Sequence, residues 1–170
     1  MTLINGLPAH VLLVHVVVVL IPLTALALVT AALWPGAARR LGVLLPAVAL
    51  VSLVSVPLTT QAGEWLERHV DDDALVRRHT ELGDGLLPWA VGLFVLAAVV
   101  WWAGRRAAAE PGQGRGTRWA ALPVRIAVGV LSLAVAVGAV VDVYRIGDSG
   151  ARAAWHDAYS KEATGAGHGS

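Results

Sequence analysis

Four long apolar stretches, separated by short polar ones, decide most of what this chain can become. Each runs to about 20 residues, the length an α-helix needs to cross the hydrocarbon layer of a bilayer. The chain of 170 residues is 56% hydrophobic and 15% charged, whereas soluble domains run at roughly 45–50% and about 25%. A soluble fold would have to hide nearly the whole chain in its core, which a domain of this size cannot do. The fold read from the sequence is therefore an all-α membrane protein, a bundle of four transmembrane helices in the plasma (inner) membrane. Its first partner is the lipid bilayer, and nothing in the charge pattern points to nucleic acid. With no cysteine, disulfides, thiolate metal sites, iron–sulfur ligation and thiol nucleophiles are all excluded.

Span one reads from about Pro8 to Trp34, where Trp34-Pro35-Gly36 joins an interfacial aromatic to a helix stop. No basic residue precedes it and it is too long for a signal-peptide core, so it is expected to be retained. A tight basic turn at Ala37 to Arg40 leads to span two, about Leu41 to Thr60, with Pro46 and Pro57 inside it. Span three covers about Leu86 to Trp102 and span four about Trp119 to Val141. Between spans two and three, Leu66/Val70 and Leu75/Val76/Leu82 recur at helical intervals around the acidic run Asp71-Asp72-Asp73. This predicts helical extensions of spans two and three that form an extracytoplasmic cap. A short helix is expected at Ala151–Lys161. Residues 1–160 read as a single domain, and 161–170 as a flexible tail.

If all four stretches cross, the six histidines and 11 of the 12 acidic residues share one side of the membrane, with only Glu110 opposite. Basic residues divide six and six between the sides, with Arg125 just inside span four. Position breaks the tie. Arg39, Arg40, Arg105, Arg106, Arg115 and Arg118 lie in short loops close to span ends, where positive charge counts most toward the cytoplasmic face. Both termini are thus expected outside the cytoplasm.

His15 is the most expensive residue, set in Val11-Leu12-Leu13-Val14-His15-Val16-Val17-Val18-Val19. An intramembrane ionisable group needs a partner or a function. One reading is a haem or metal ligand, or a proton-relay group; the other is a neutral imidazole bonded to Ser55, Thr59 or Thr60 of span two. His10 lies about 7.5 Å up the same helix and about 140° around it, so the pair cannot grip one ion as an i, i+4 pair does. His79 feeds into span three, and Glu64, Glu81 and Asp84 lie near its level. His10, His15 and His79 are the candidate cofactor or metal ligands, with Glu64 and Asp84 as groups that orient them or handle protons. A b-type haem would need two histidines from different helices, such as His15 or His10 with His79; a divalent metal would suit a His-and-carboxylate set. The competing reading is a structural or interaction protein whose histidines tie helices together. No catalytic motif occurs, and four spans would line a transport path only as a homo-oligomer. Asp142 and Arg145 at i, i+3 read as a local cap. Pro22, Pro57 and Pro88 read as kinks, the tryptophans as interfacial belts, and Ala134/Gly138 and Ala27/Ala31 as close-packing pairs.

Those residues also carry a resemblance. Gly6-Leu7-Pro8-Ala9-His10 with Val14-His15, Thr59-Thr60-Gln61-Ala62-Gly63-Glu64-Trp65-Leu66-Glu67, His79-Thr80-Glu81-Leu82-Gly83-Asp84, and Tyr144-Arg145-Ile146-Gly147-Asp148-Ser149-Gly150-Ala151-Arg152-Ala153-Ala154-Trp155 together resemble DUF2231. This is a bacterial family of four-span membrane proteins, and its actinobacterial members are the most similar. The resemblance implies the four-span fold and singles out His10, His15 and His79. Some relatives are joined to cytochrome c or Rieske domains, which implies a place beside a membrane redox complex, a quinone or haem electron transfer. Many relatives carry an aromatic and a proline after the second span-one histidine, where this chain has Val16 and Val17.

Overall fold

The computed structural model describes residues 3–4, 7–67, 81–109 and 122–165, with side chains placed for 12–64, 81–109 and 122–152. Two short strands, β1 (Leu3–Ile4) and β2 (Leu7–Pro8), pair antiparallel ahead of the first helix. Among the described residues the main helices are α1 (Ala9–Leu33), α2 (Pro35–Leu41), α3 (Leu44–Glu67), α4 (Leu86–Ala109) and α5 (Leu122–Gly165). Four of them are long and apolar enough to cross a membrane, as the sequence predicts. Helix is the outcome even for the β-branched run Val16–Val19, because hydrocarbon offers no partner for an unpaired backbone N–H or C=O.

Proline placement explains most of the helix boundaries. Pro35 opens α2, Pro46 and Pro88 are the third residues of α3 and α4, and Pro123 is the second of α5. In a first turn the missing N–H would have had no intrahelical partner anyway. Pro88 is therefore a helix start and not the kink expected from the sequence. Pro22 and Pro57 do lie in helix interiors, where each removes one backbone bond. The expected tight turn after span one is instead the seven-residue α2. Trp34, extended at φ −117°, breaks the chain between α1 and α2, and Gly42 at φ 50° ends α2, its N–H bonding the Ala38 carbonyl at 3.0 Å.

The bundle closes as a ring. α1 packs on α3 and α5, α3 on α4, and α4 on α5, with a lesser contact of α1 across to α4. Each helix buries one narrow stripe: Val17, Ile21, Thr24, Leu28 and Ala31 on α1; Leu45, Ala49, Ser52, Val56 and Thr59 on α3; Leu86, Ala90, Leu93, Ala97 and Val100 on α4; Ser132, Ala136, Ala139 and Val143 on α5. These positions recur at alternating spacings of three and four, the seam of near-parallel helix packing. Between 22% and 33% of each span's most apolar window is buried, and residues such as Leu26, Val19 and Val130 point outward. A helix that is apolar all round and buried on one stripe is solvated by lipid on the rest.

With lipid as apolar as the interior, helix association rests on close packing and on interhelical hydrogen bonds. Alanines fill much of the seam. Gly138 does not form the close-packing pair expected with Ala134, which is exposed; it accommodates the indole of Trp89, which reaches from α4 across α5 while its outer side stays exposed. The hydroxyls do the polar work. Thr24 Oγ1 lies 2.8 Å from Ser52 Oγ across the α1–α3 seam, and both side chains are buried. Ser52 also lies 3.0 Å from the Val48 carbonyl, while Ser55 donates to Ser52 O at 2.8 Å and Thr59 to Ser55 O at 2.7 Å. A Thr24 donor and a Ser52 donor to Val48 satisfy both buried hydroxyls at once.

α3 runs on through Glu67, two turns past the predicted end of span two, and residues 81–84 are helical before the turn at Gly85. The top of the expected cap lies outside the described residues. α5 does not stop at Val141: span four and the expected C-terminal helix are one 44-residue helix.

Candidate functional site

The described acidic side chains gather at one end, which also holds Arg145 and Arg152, and the other described arginines lie at the opposite end. Arg39, Arg40, Arg105, Arg106 and Arg125 lie where α1, α2, α4 and α5 turn, here termed the arginine end. His15, Glu64, Glu81, Asp84, Asp142 and Asp148 lie toward the other, acidic end. Arg105 sits over the Trp101 ring at 5.2 Å and Arg106 over the Trp102 ring at 4.0 Å, pairs that hold guanidinium groups at the level of the interfacial aromatics.

Of the five residues expected to form the site, three have described side chains. His15 lies on an exposed face of α1, Glu64 is exposed near the end of α3, and Asp84 is exposed in the helical segment before α4. His15 stands two residues from buried Val17, about 200° around the helix from the buried stripe. The hydroxyls offered to it by the sequence, on Ser55, Thr59 and Thr60, donate to carbonyls of their own helix at 2.7–3.1 Å, leaving their lone pairs as acceptors. The side chain of His10 and all of His79 lie outside the described residues. Among the described residues, no three His, Asp or Glu side chains come near enough to share a metal ion.

The acidic end holds one polar group that the sequence placed differently. Asp142, expected as a cap with Arg145, makes no ion pair with it among the described residues; the pair that forms one turn later is Asp148–Arg152, at 3.0 Å. Asp142 turns toward α4 instead. Its Oδ2 is buried without a hydrogen-bond partner, and a methyl group built on Gly85 would lie 3.6 Å from that oxygen. Gly83 packs toward Thr60 in the same way, with 3.7 Å from such a methyl to Thr60 Cγ2. Glycines at 83 and 85 thus let the entry to α4 approach α3 and α5 closely. The signal for Asp142 was in the sequence: it follows Ala139 by three, on the edge of the small-residue seam of α5.

The family model described as "Predicted membrane protein (DUF2231)" matches residues 6–163, nearly the whole chain. The chain belongs to the DUF2231 family. That match runs from the entry to α1 almost to the end of α5, so the four-span bundle and both polar ends belong to the DUF2231 unit. No curated protein and no solved structure matches the chain. The DUF2231 description states membrane residence and no activity, and it agrees with the four apolar helices.

Proposed function

We propose that this DUF2231 protein is a non-catalytic subunit of a membrane redox assembly, presenting His15 from the acidic end to a haem or divalent metal. The observation that carries this reading is the placement of His15 on the exposed face of an otherwise apolar span. An ionisable side chain inside an apolar span is by default a candidate for function. His79 would be the second ligand, with His10 in place of His15 as the alternative pair, and Glu64 and Asp84 the groups that orient them, so haem b would be gripped by two histidines of different elements. A neighbouring redox subunit, a quinone or a second copy of the chain would then meet this end of the bundle. The short-loop arginines support a plasma-membrane orientation with the arginine end in the cytoplasm and both termini outside.

The test is a visible spectrum and metal analysis of the protein purified in mild detergent. A Soret band lost in both His15→Ala and His79→Ala is the expected result. A colourless, metal-free preparation refutes the cofactor reading. The second reading, an assembly protein without cofactor, is favoured by the Thr24–Ser52 tie, a seam contact made by hydroxyls alone.

A further inference from the structure

At the arginine end, α1, α2, α4 and the start of α5 diverge and leave a cleft of about 280 Å³. Its walls are small and apolar, including Ala31, Pro35, Val100, Ala103 and Ala107. Arg125, one turn into α5, is the charged residue in the lining. Among the described residues no carboxylate pairs with Arg125, and the described acidic side chains all lie toward the opposite end. Arg39 and Arg40 on α2 and Arg105 and Arg106 at the end of α4 add positive charge around the same end.

We propose that this cleft is a binding site for an anionic phospholipid, with an acyl chain between the alanines and the phosphate on Arg125. Two features converge on that occupant. A slot walled by alanine, valine and proline beside lipid suits a hydrocarbon chain and offers almost nothing to a polar solute. A guanidinium just inside a span, with no carboxylate partner among the described residues, attracts an anion, and its planar fork matches phosphate oxygens. Basic pockets between transmembrane helices recognise acidic headgroups by this combination. The remaining arginines enrich such lipids near the cleft, whereas Arg125 fixes one of them there. The site is independent of the histidines and of the redox reading.

Native mass spectrometry of the detergent-purified protein tests this, with phosphatidylglycerol and phosphatidylcholine of identical chains as probes. Wild type is expected to prefer phosphatidylglycerol by on the order of tenfold. Arg125→Gln is expected to lower that preference about fivefold, equivalent to about 1 kcal/mol for one arginine near the surface. Ala103→Leu, and Ala107→Leu at a more exposed wall position, fill the slot and are expected to weaken both lipids while keeping their ratio. Circular dichroism and monodisperse elution establish that each variant is folded. An unchanged preference in Arg125→Gln, with loss only in the Arg105→Gln/Arg106→Gln double variant, overturns the site in favour of diffuse attraction. Wild-type binding in both leucine variants shows that no chain enters the cleft. Displacement of phosphatidylglycerol by a neutral isoprenoid quinone whose binding ignores Arg125→Gln makes the occupant neutral and sinks the proposal.

Discussion

Gly138→Ala is the sharpest test of how α4 and α5 are joined. A Cβ at position 138 would lie 2.7 Å from Cε3 of Trp89 and nearer still to Cζ3 and Cη2, where ordinary contact begins at 3.4 Å. The indole is rigid, so it must move as a whole by more than half an ångström, leave its rotamer, or push α4 from α5. Inserting one methyl group into a well-packed site of this kind costs about 1–3 kcal/mol, roughly a 5- to 140-fold loss in the folded-to-unfolded ratio. A glycine-to-alanine change in an open helix acts in the opposite direction, gaining roughly 0.5–1 kcal/mol. Gly147→Ala is the matched control, because nothing lies within 4 Å of its added methyl. Equilibrium unfolding in mixed micelles with increasing SDS, followed by helical circular dichroism, gives both values. Trp89→Leu in the Gly138→Ala background is expected to recover part of the loss by removing the ring. If Gly138→Ala matches Gly147→Ala, the clasp of Trp89 over Gly138 does not exist and the α4–α5 seam has been misplaced.

The Thr24–Ser52 tie predicts a coupled pair: Thr24→Val and Ser52→Ala should each cost about 0.6 kcal/mol and no more than roughly 1.7 kcal/mol, and the double variant less than their sum. Additive losses in the same unfolding assay would show that the two hydroxyls do not bond. Asp142→Asn should stabilise the protein by roughly 1 kcal/mol, because a carboxylate with an unpartnered buried oxygen loses its charge while keeping its shape. A loss of stability of that size would mean that attraction to the nearby Arg145 outweighs the burial of the carboxylate. Because the chain has no cysteine, single cysteines report topology cleanly. Gly147→Cys should react with a membrane-impermeant maleimide on intact cells and Gly36→Cys only after lysis; the reverse pattern inverts the proposed orientation.

The spans were legible because their signal is integral: about 20 apolar residues in a row leave few alternatives to a helix across lipid. Charge segregation was legible for the same reason, since connectivity alone assigns each loop to a side. Seam positions were harder to read. In a soluble helix, hydrophobic periodicity marks the buried face, but Leu23, Leu26 and Leu33 face out here while Thr24, Ser52 and Ser132 face in. Size and hydroxyl chemistry carry the pattern where hydrophobicity does not. Interior polarity pointed to His15, the most polar residue of span one. The three-and-four repeat of α1, carried back from Val17, passes through position 14 and leaves position 15 off the seam. That repeat could have been counted from the sequence, had alanines and hydroxyls been given the weight that leucines receive in water. Pro88 is a similar case, because its reading depends on where the helix starts, and only the turn at Gly85 fixes that.

The two polar ends are built on different chemistry, and this bears on what each can do. At the arginine end, cations are held by neighbours in their own helix, as Arg105 and Arg106 are by Trp101 and Trp102, and they surround a slot between helices. Such an arrangement is rigid in its apolar part and pre-charged for an anion, which suits a permanent lipid ligand that braces α1, α2, α4 and α5 together. At the acidic end, close helix approach depends on glycines at 83 and 85, and a buried carboxylate oxygen is left unpartnered beside them. A buried oxygen without a hydrogen bond is a poor means of fixing one geometry. A partner that supplied the missing bond would satisfy that oxygen, so the acidic end is where docking should alter the bundle. On this argument a bound lipid at the arginine end and a partner at the acidic end act on opposite ends of α4 and α5. Stabilising the first should then leave the second free to change, and hydrogen exchange in residues 81–90 should be unaltered when phosphatidylglycerol is bound. Slowing there on lipid binding alone would show the two ends to be one rigid unit.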